Sequence, residues 1–274
     1  MEWPKLKNII ILILLLANLF MVSLVLVQKR DSARYQEQAL ENAEGVLESS
    51  GIRVDSQLLP GEMELTVLTA AREAEGELAL AQALLGECAV TELGGGRYAY
   101  AGAQGSAEFR SNGNFSVTFS AGARSARKSG GEEEHAAALL KEAGMTAVQT
   151  GRTEADGRLV LTFCQTWKGT PVYSCVFTME YESGSLRAMS GLRLMGEPQA
   201  ASGGEPISVP TALMRILNGI GDLGDVCGEI TAMEAGYEMT AAADELRLIP
   251  VWRVTTDTGA YILNALNGAL ERAE

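Results

Sequence analysis

One histidine, His135, stands in a chain of 274 residues, and that scarcity removes the commonest base for activating a serine or cysteine nucleophile. Cysteine is scarce as well. Cys88, Cys164, Cys175 and Cys227 show no C-x-x-C spacing, and with a lone histidine they do not make up the usual zinc sets. Neither a metal nor a cofactor is expected. No G-x-x-x-x-G-K-[ST] occurs, and Gly94-Gly95-Gly96 opens no helix, so nucleotide binding has no motif to rest on. Basic residues are outnumbered, 22 against 35 acidic ones. With Glu2 set aside from the acidic residues and Lys5, Lys7, Lys29 and Arg30 from the basic ones, the chain beyond residue 30 carries about −16. Nucleic acids and anionic headgroups attract Lys and Arg, so such a surface repels both. Nucleic-acid binding is not expected.

What is present begins with Ile9 to Val27, nineteen residues without a charge, bracketed by Lys5 and Lys7 before and Lys29 and Arg30 after. As a helix such a run reaches roughly 28 Å, the thickness of a bilayer's hydrocarbon core. It is apolar on every face, too long for a signal-peptide core, and no small-x-small site follows it. The sequence therefore predicts a cytoplasmic head over 1–8, a single transmembrane helix over 9–27, and a large domain on the outer side of a cell membrane. Asn18 and Ser23 are the polar residues inside the run. With Phe20 they are the candidate contacts for partner helices, since polar groups in hydrocarbon seek partners.

Beyond the run, apolar residues recur at helical spacing over Tyr35 to Ser49, with Gly51 as a stop. Ile52 to Leu59 and Glu64 to Ala70 read as short strands joined in a hairpin at Pro60-Gly61. Ala71 to Leu85 reads as a helix ending at Gly86. Strands follow in RYAYAGA, SAEFR and FSVTFS, the last two joined by a tight turn at Asn112-Gly113. A linker over Ala123 to Glu134 marks a boundary near residue 130. The later half repeats a pattern of helix then strands. His135 to Gly144 precedes Leu159 to Trp167, Val172 to Tyr181 and Leu186 to Met195. Thr211 to Ile220 precedes Glu229 to Met239, Leu246 to Thr255 and Tyr261 to Leu266. The expected fold class is α+β: one transmembrane helix, then repeated helix-plus-antiparallel-sheet units in two extracytoplasmic subdomains, 28–130 and 131–274.

Candidate chemistry is thin. Glu132-Glu133-Glu134 ahead of His135 reads as a solvated first turn complementing the helix dipole. The carboxylate pairs Glu180 with Glu182 and Glu229 with Glu234 read as surface charge. Cys164 and Cys175 flank a predicted turn at Gly169-Thr170; a cross-strand disulfide is set against two buried thiols, and the thiols are favoured. Trp167 and Trp252 are candidates for a partner surface, set against sealing of a hairpin and packing on the last helix.

Three stretches carry a resemblance. They are Met1-Glu2-Trp3 with Lys5, Lys7 and Asn18-Leu19-Phe20; Phe163, Gln165, Trp167, Gly169, Pro171, Val172 and Tyr173; and Pro250-Val251-Trp252-Arg253 with Tyr261-Ile262-Leu263-Asn264-Ala265. In this order they resemble the YycI family, membrane-anchored regulatory proteins of the YycFG (WalRK) two-component system of Gram-positive bacteria, and the last resembles PepSY-like modules. Leu93 to Arg127 shows no match. The resemblance implies a non-enzymatic regulator of a sensor histidine kinase (YycG/WalK-like), acting with a YycH-like protein through transmembrane and extracytoplasmic contacts. It carries no catalytic residue over. The alternative from another class is an extracytoplasmic binding or inhibitory module, PepSY-like, acting on a cell-wall enzyme.

Overall fold

A helix cannot stop where nothing breaks it, and from Trp3 to Ser49 the chain offers neither a proline after Pro4 nor a positive-φ residue. The structure, a computed structural model, describes residues 3–61, 63–126, 130–242 and 245–273, and of 3–10, 24–33, 56 and 241–242 the backbone alone. Helix α1 (Trp3–Ser49) is continuous. It joins the apolar run to the amphipathic stretch and ends where Gly51 takes φ 86° and Ile52 N–H donates to Leu47 C=O at 2.9 Å. The expectation of a membrane-spanning helix is corrected here. Among the described residues no helix is long and apolar enough to cross a membrane. The described apolar stretch, from Ile11 to Ser23, rises only about 20 Å, and the described part beyond it carries Arg34, Glu37 and Glu41. The head over 1–8 and the ends of the run, 9–10 and 24–27, lie outside the described side chains.

After α1 come β1 (Arg53–Val54), β2 (Leu68–Ala70), α2 (Ala74–Leu85), β3 (Cys88–Gly94), β4 (Arg97–Gly102), β5 (Gly105–Arg110), β6 (Asn114–Phe119) and α3 (Glu132–Glu142). Next are β7 (Ala147–Ala155), β8 (Arg158–Trp167), β9 (Thr170–Glu182), β10 (Ser185–Leu192), β11 (Gln199–Ala200), α4 (Val209–Asp222), β12 (Glu229–Ala242), β13 (Glu245–Thr256), β14 (Ala260–Asn264) and β15 (Leu270–Arg272). All fifteen strands join in one mixed sheet, whose main path runs β11-β2-β13-β12-β9-β10-β6-β5-β4-β3. The expected fold class is therefore corrected a second time. Strand outweighs helix among the described residues, and the units are not separate sheets, because β6 pairs with β10 and β9 with β12. The boundary expected near residue 130 falls between β6 and α3, inside one shared core that runs from Leu80 to Met189. The hairpin expected at Pro60-Gly61 does not form. β1 pairs parallel with β12, and β2 pairs with β13 and β11; stretches of two and three paired residues bury more by docking on the long β12-β13 hairpin than on each other.

Two halves of this sheet meet at β9. In the larger, β3 to β10, Phe109, Phe115, Phe163 and Phe177 pack beneath α2 and α3. In the smaller, Trp252, Val254 and Leu263 pack against Leu213 and Ile216 of α4 and Ala43 and Leu47 of α1. Strand β9 belongs to both. Its register with β8 slips between Cys164 and Thr166, so that Cys164 faces Val176 while Thr166 faces Pro171. The residues freed by this bulge let the start of β9 turn away and pair with β12 at Val172 and Tyr237. The same slip settles the thiols. All four cysteines are free, and Cys175, which turns its Sγ to Met239 at 3.9 Å, is not the residue opposite Cys164.

A buried ion cluster locks the junction. The chain leaves the smaller half after β2 and returns to it after β10, and these two crossings meet at Glu77 on α2, 2% exposed. Glu77 binds Arg72 from the first crossing and Arg193 from the second, the latter at 3.4 Å. Arg72 lies 3.5 Å from the centroid of Tyr98 and Arg193 4.8 Å from that of Phe109. Burial depresses the pKa of Arg193 and Glu77 opposes that pull. Breaking a buried pair strands a charge, at a cost of about 3–5 kcal/mol. Glu77→Ala is expected to lose that much stability in urea titration, with one cooperative transition giving way to two as the halves separate.

Candidate functional site

The helices all cover one side of their half-sheets, so the opposite faces stay open, and where the halves meet these faces enclose a cleft of about 810 Å³. Thr162 and Cys164 of β8, Tyr173 and Ser174 of β9, Arg253 of β13 and Arg272 of β15 are among the groups that line it. The β9 bulge places Tyr173. Its ring lies against Gly236 of β12, where any Cβ would collide with Cε2 of Tyr173, so glycine is the residue that lets an aromatic ring cross the strand. Arg253 sits over the same ring, its guanidinium carbon 5.3 Å from the centroid. The Tyr173 hydroxyl is buried with no hydrogen-bond partner among the described residues. Burial, with Glu234 adding to it, pushes its pKa up, so it is a neutral phenol and a donor at neutral pH.

The remaining walls are held from behind. Ser174 Oγ accepts from Met239 N–H at 2.7 Å. Arg272 makes a two-pronged contact with Asp225, both distances 2.8 Å, and Tyr261 donates to the same carboxylate at 3.1 Å; these bonds hold Asp225 below the usual carboxylate range. Cys164 is no nucleophile. Burial raises its pKa, Arg253 only partly offsets that, and its thiol is spent on Val172 C=O at 3.4 Å. The cleft thus presents a guanidinium and hydroxyls, with the Tyr173 ring in its wall and the phenol hidden behind it. These groups suit a polar ligand with acceptor oxygens.

His135 lies elsewhere. The acidic trio does form the first turn of α3, but the imidazole turns inward, 9% exposed, with Nδ1 at 2.9 Å from the Tyr181 hydroxyl. Among the described residues no group of three or more His, Cys, Asp and Glu is placed to hold a metal. Glu182 pairs with Arg187 at 3.1 Å and Glu229 with Arg53 at 3.2 Å, both on the surface. Trp252 is 1% exposed and packs in the core with α4, so it presents no area to a partner. Trp167 is half-buried at the end of the β8-β9 hairpin, with Lys168 Nζ 5.2 Å from its ring. Asn18 donates to Leu14 C=O at 2.8 Å and Ser23 to Phe20 C=O at 2.7 Å, so both satisfy themselves on their own helix, while the Phe20 ring is 64% exposed.

No family model matches the chain, and no curated protein does. Solved structures do resemble it. An uncharacterized protein from Eubacterium rectale aligns with 82% of this chain and 91% of its own length, at 12% identity and a TM-score of 0.51. At that identity the two share a fold and nothing finer. The C-terminal domain of Bacillus megaterium YpeB aligns over 75% of this chain and 99% of its own length, at 14% identity and a TM-score of 0.38, too loosely to support more.

Sequence reasoning assigns no site role to Tyr173 or Arg253, although each belongs to one of the stretches that carry the YycI resemblance. Seventy-nine intervening residues hide their meeting. Gly236→Ala is expected to displace the Tyr173 ring and lower stability by about 1–3 kcal/mol, readable as a changed near-ultraviolet circular dichroism and an earlier urea midpoint.

The lone histidine yields a pH prediction. Burial first, then the nearby charge of Arg124, holds its pKa below the ordinary value. The unfolded chain therefore binds the extra proton below about pH 6.5. His135 contributes stability fully above that pH and loses it as pH falls through the folded value. His135→Leu is expected to flatten the stability profile below about pH 6.5 relative to the parent chain, as measured by urea titrations at each pH.

Proposed function

We propose that this chain is a non-enzymatic regulatory module that acts outside the cytoplasm by binding another protein through the cleft at the β9 junction. One observation carries this reading. In an open cleft a guanidinium lies over the ring of Tyr173, whose phenol is buried without a hydrogen-bond partner among the described residues; a turn of that ring toward the cleft gives the phenol a ligand's acceptor oxygens and recovers the free energy that an unsatisfied buried polar group costs. The YycI resemblance narrows the partner. Its second stretch includes Tyr173 and its third includes Arg253, and in the cleft the guanidinium of Arg253 lies over the Tyr173 ring. A YycG/WalK-like sensor histidine kinase and a YycH-like protein are accordingly the first partners to test. The second reading, a PepSY-like inhibitory module acting on a cell-wall enzyme, uses the same cleft and differs only in what fills it.

The test uses the full chain with the purified extracytoplasmic domain of such a kinase and with a YycH-like protein, read by biolayer interferometry. Tyr173→Phe removes only the donor, and Arg253→Gln only the charge. Each is expected to weaken binding at least tenfold, about 1.4 kcal/mol. Unaltered binding in both variants would show that the cleft is not the site. Binding to neither protein, with retained affinity for a cell-wall peptidase, would favour the second reading.

A further inference from the structure

The far end of the sheet is unfinished. Among the described residues strand β3 pairs with β4 alone, and from Ala89 to Gly94 its residues are exposed, with Val90 at 55% and Leu93 at 48%. Edges of this kind are normally blunted by bulges, prolines or charges. The other long edge, β7, is blunted: its register slips between Gln149 and Gly151, and Arg152 is tied to Glu133 at 3.2 Å and Glu154 at 2.7 Å. β3 carries no proline and one charge, at Glu92; its register with β4 is regular from Cys88 to Glu92 and slips only at its end, between Glu92 and Gly94, whereas the slip in β7 falls within the strand. Beside it, between α2 and β3, runs a groove of about 370 Å³. Leu78 of α2 forms one wall, Val90 another, and Tyr98 and Tyr100 the floor.

The charge around this groove selects its occupant. Glu75 and Glu92 stand on the rim, while Arg72 is already matched by Glu77. The chain as a whole carries −13. A second copy would bring like charge to this edge; a basic segment would be drawn to it. We propose that β3 receives an extended segment of a partner protein in which apolar and basic residues alternate. The segment adds a further strand to the sheet, its main chain bonding to the free N–H and C=O groups of β3. Its apolar side chains enter the groove between Leu78 and Val90, and its basic ones meet the acidic rim and solvent. This surface is independent of the cleft at the β9 junction.

The test is fluorescence anisotropy of the full chain with a labelled hexapeptide of alternating lysine and valine. Alternation fixes which side chains enter the groove, hence which row of peptide N–H groups faces β3. Two further versions carry N-methyl groups on the lysines only or on the valines only. The expected result is saturable binding in which one methylated version binds like the parent peptide and the other at least tenfold more weakly. Val90→Arg, at an exposed position that folding does not need, weakens binding at least tenfold, and Val148→Arg on β7 leaves it unchanged. Equal binding of both methylated peptides, equal loss in both edge variants, or no binding of the parent peptide would overturn the proposal. So would a dimer of the chain in sedimentation velocity that Val90→Arg dissolves, since the occupant would then be a second copy.

Discussion

Glu77 is the point on which the two halves of the sheet depend. Its carboxylate lies between Arg72, on the segment that carries the chain from the smaller half into the larger, and Arg193, on the segment that carries it back. Burial makes each of these charges costly alone and their attraction strong together. The surroundings fit that constraint. Two aromatic faces, Tyr98 and Phe109, take the flat sides of the guanidiniums, and Leu194 N–H, next in line after Arg193, donates to Gln165 Oε1 at 2.7 Å. That last bond reaches the bulge of β8 and β9. The ion cluster and the strand that bridges the halves are thereby one mechanical unit.

From this unit the cleft follows. Because β9 must serve two half-sheets, it slips register at Cys164, and the slip turns Tyr173 toward β12. Gly236 leaves room for the ring, and Arg253 closes over it. Without the bulge β9 would stay with β8 along its whole length, and there would be neither a junction nor a buried phenol beside a guanidinium. The unpartnered hydroxyl is thus a by-product of architecture that the binding reading turns to use.

Local order was largely legible in the sequence, and long-range order was not. Leu213, Ile216 and Ile220 on α4, and Leu139 and Leu140 on α3, face the core as their spacing requires. Asn112-Gly113 makes the predicted turn, with Gly113 at φ 88°. Periodicity reports only which face of an element is apolar. It is silent on which strand lies next to which, so repeated units read as separate sheets became one sheet through the β6-β10 and β9-β12 pairings. β7 escaped notice for a related reason: its residues are almost all exposed, and an edge strand with two polar faces shows no alternation. Glu77 gave no signal either, since Arg193 is 116 positions away. The apolar run misled in another way: length and composition describe a segment, and the helix that contains it continues into a polar stretch that docks on α4.

A sheet of fifteen strands with its helices on one side must keep the other side wettable, and the residues there show how. Across β5, β6, β10, β9 and β8, directly opposed positions read Glu108, Ser116, Ser190, Thr178 and Thr162. Small hydroxyls suit this row because they satisfy themselves with water or nearby carbonyls, as Thr178 does with Ser190 C=O at 3.4 Å, while retaining strand propensity. Against so polar a face, apolar exposure becomes informative. On β3 it coincides with an edge strand of regular register from Cys88 to Glu92 and an apolar groove. At the junction cleft the reverse holds, a polar group hidden without a hydrogen-bond partner among the described residues. The two departures from an otherwise consistent surface lie at opposite kinds of site, one short of apolar cover and the other short of an acceptor, and each defines the chemistry of what completes it.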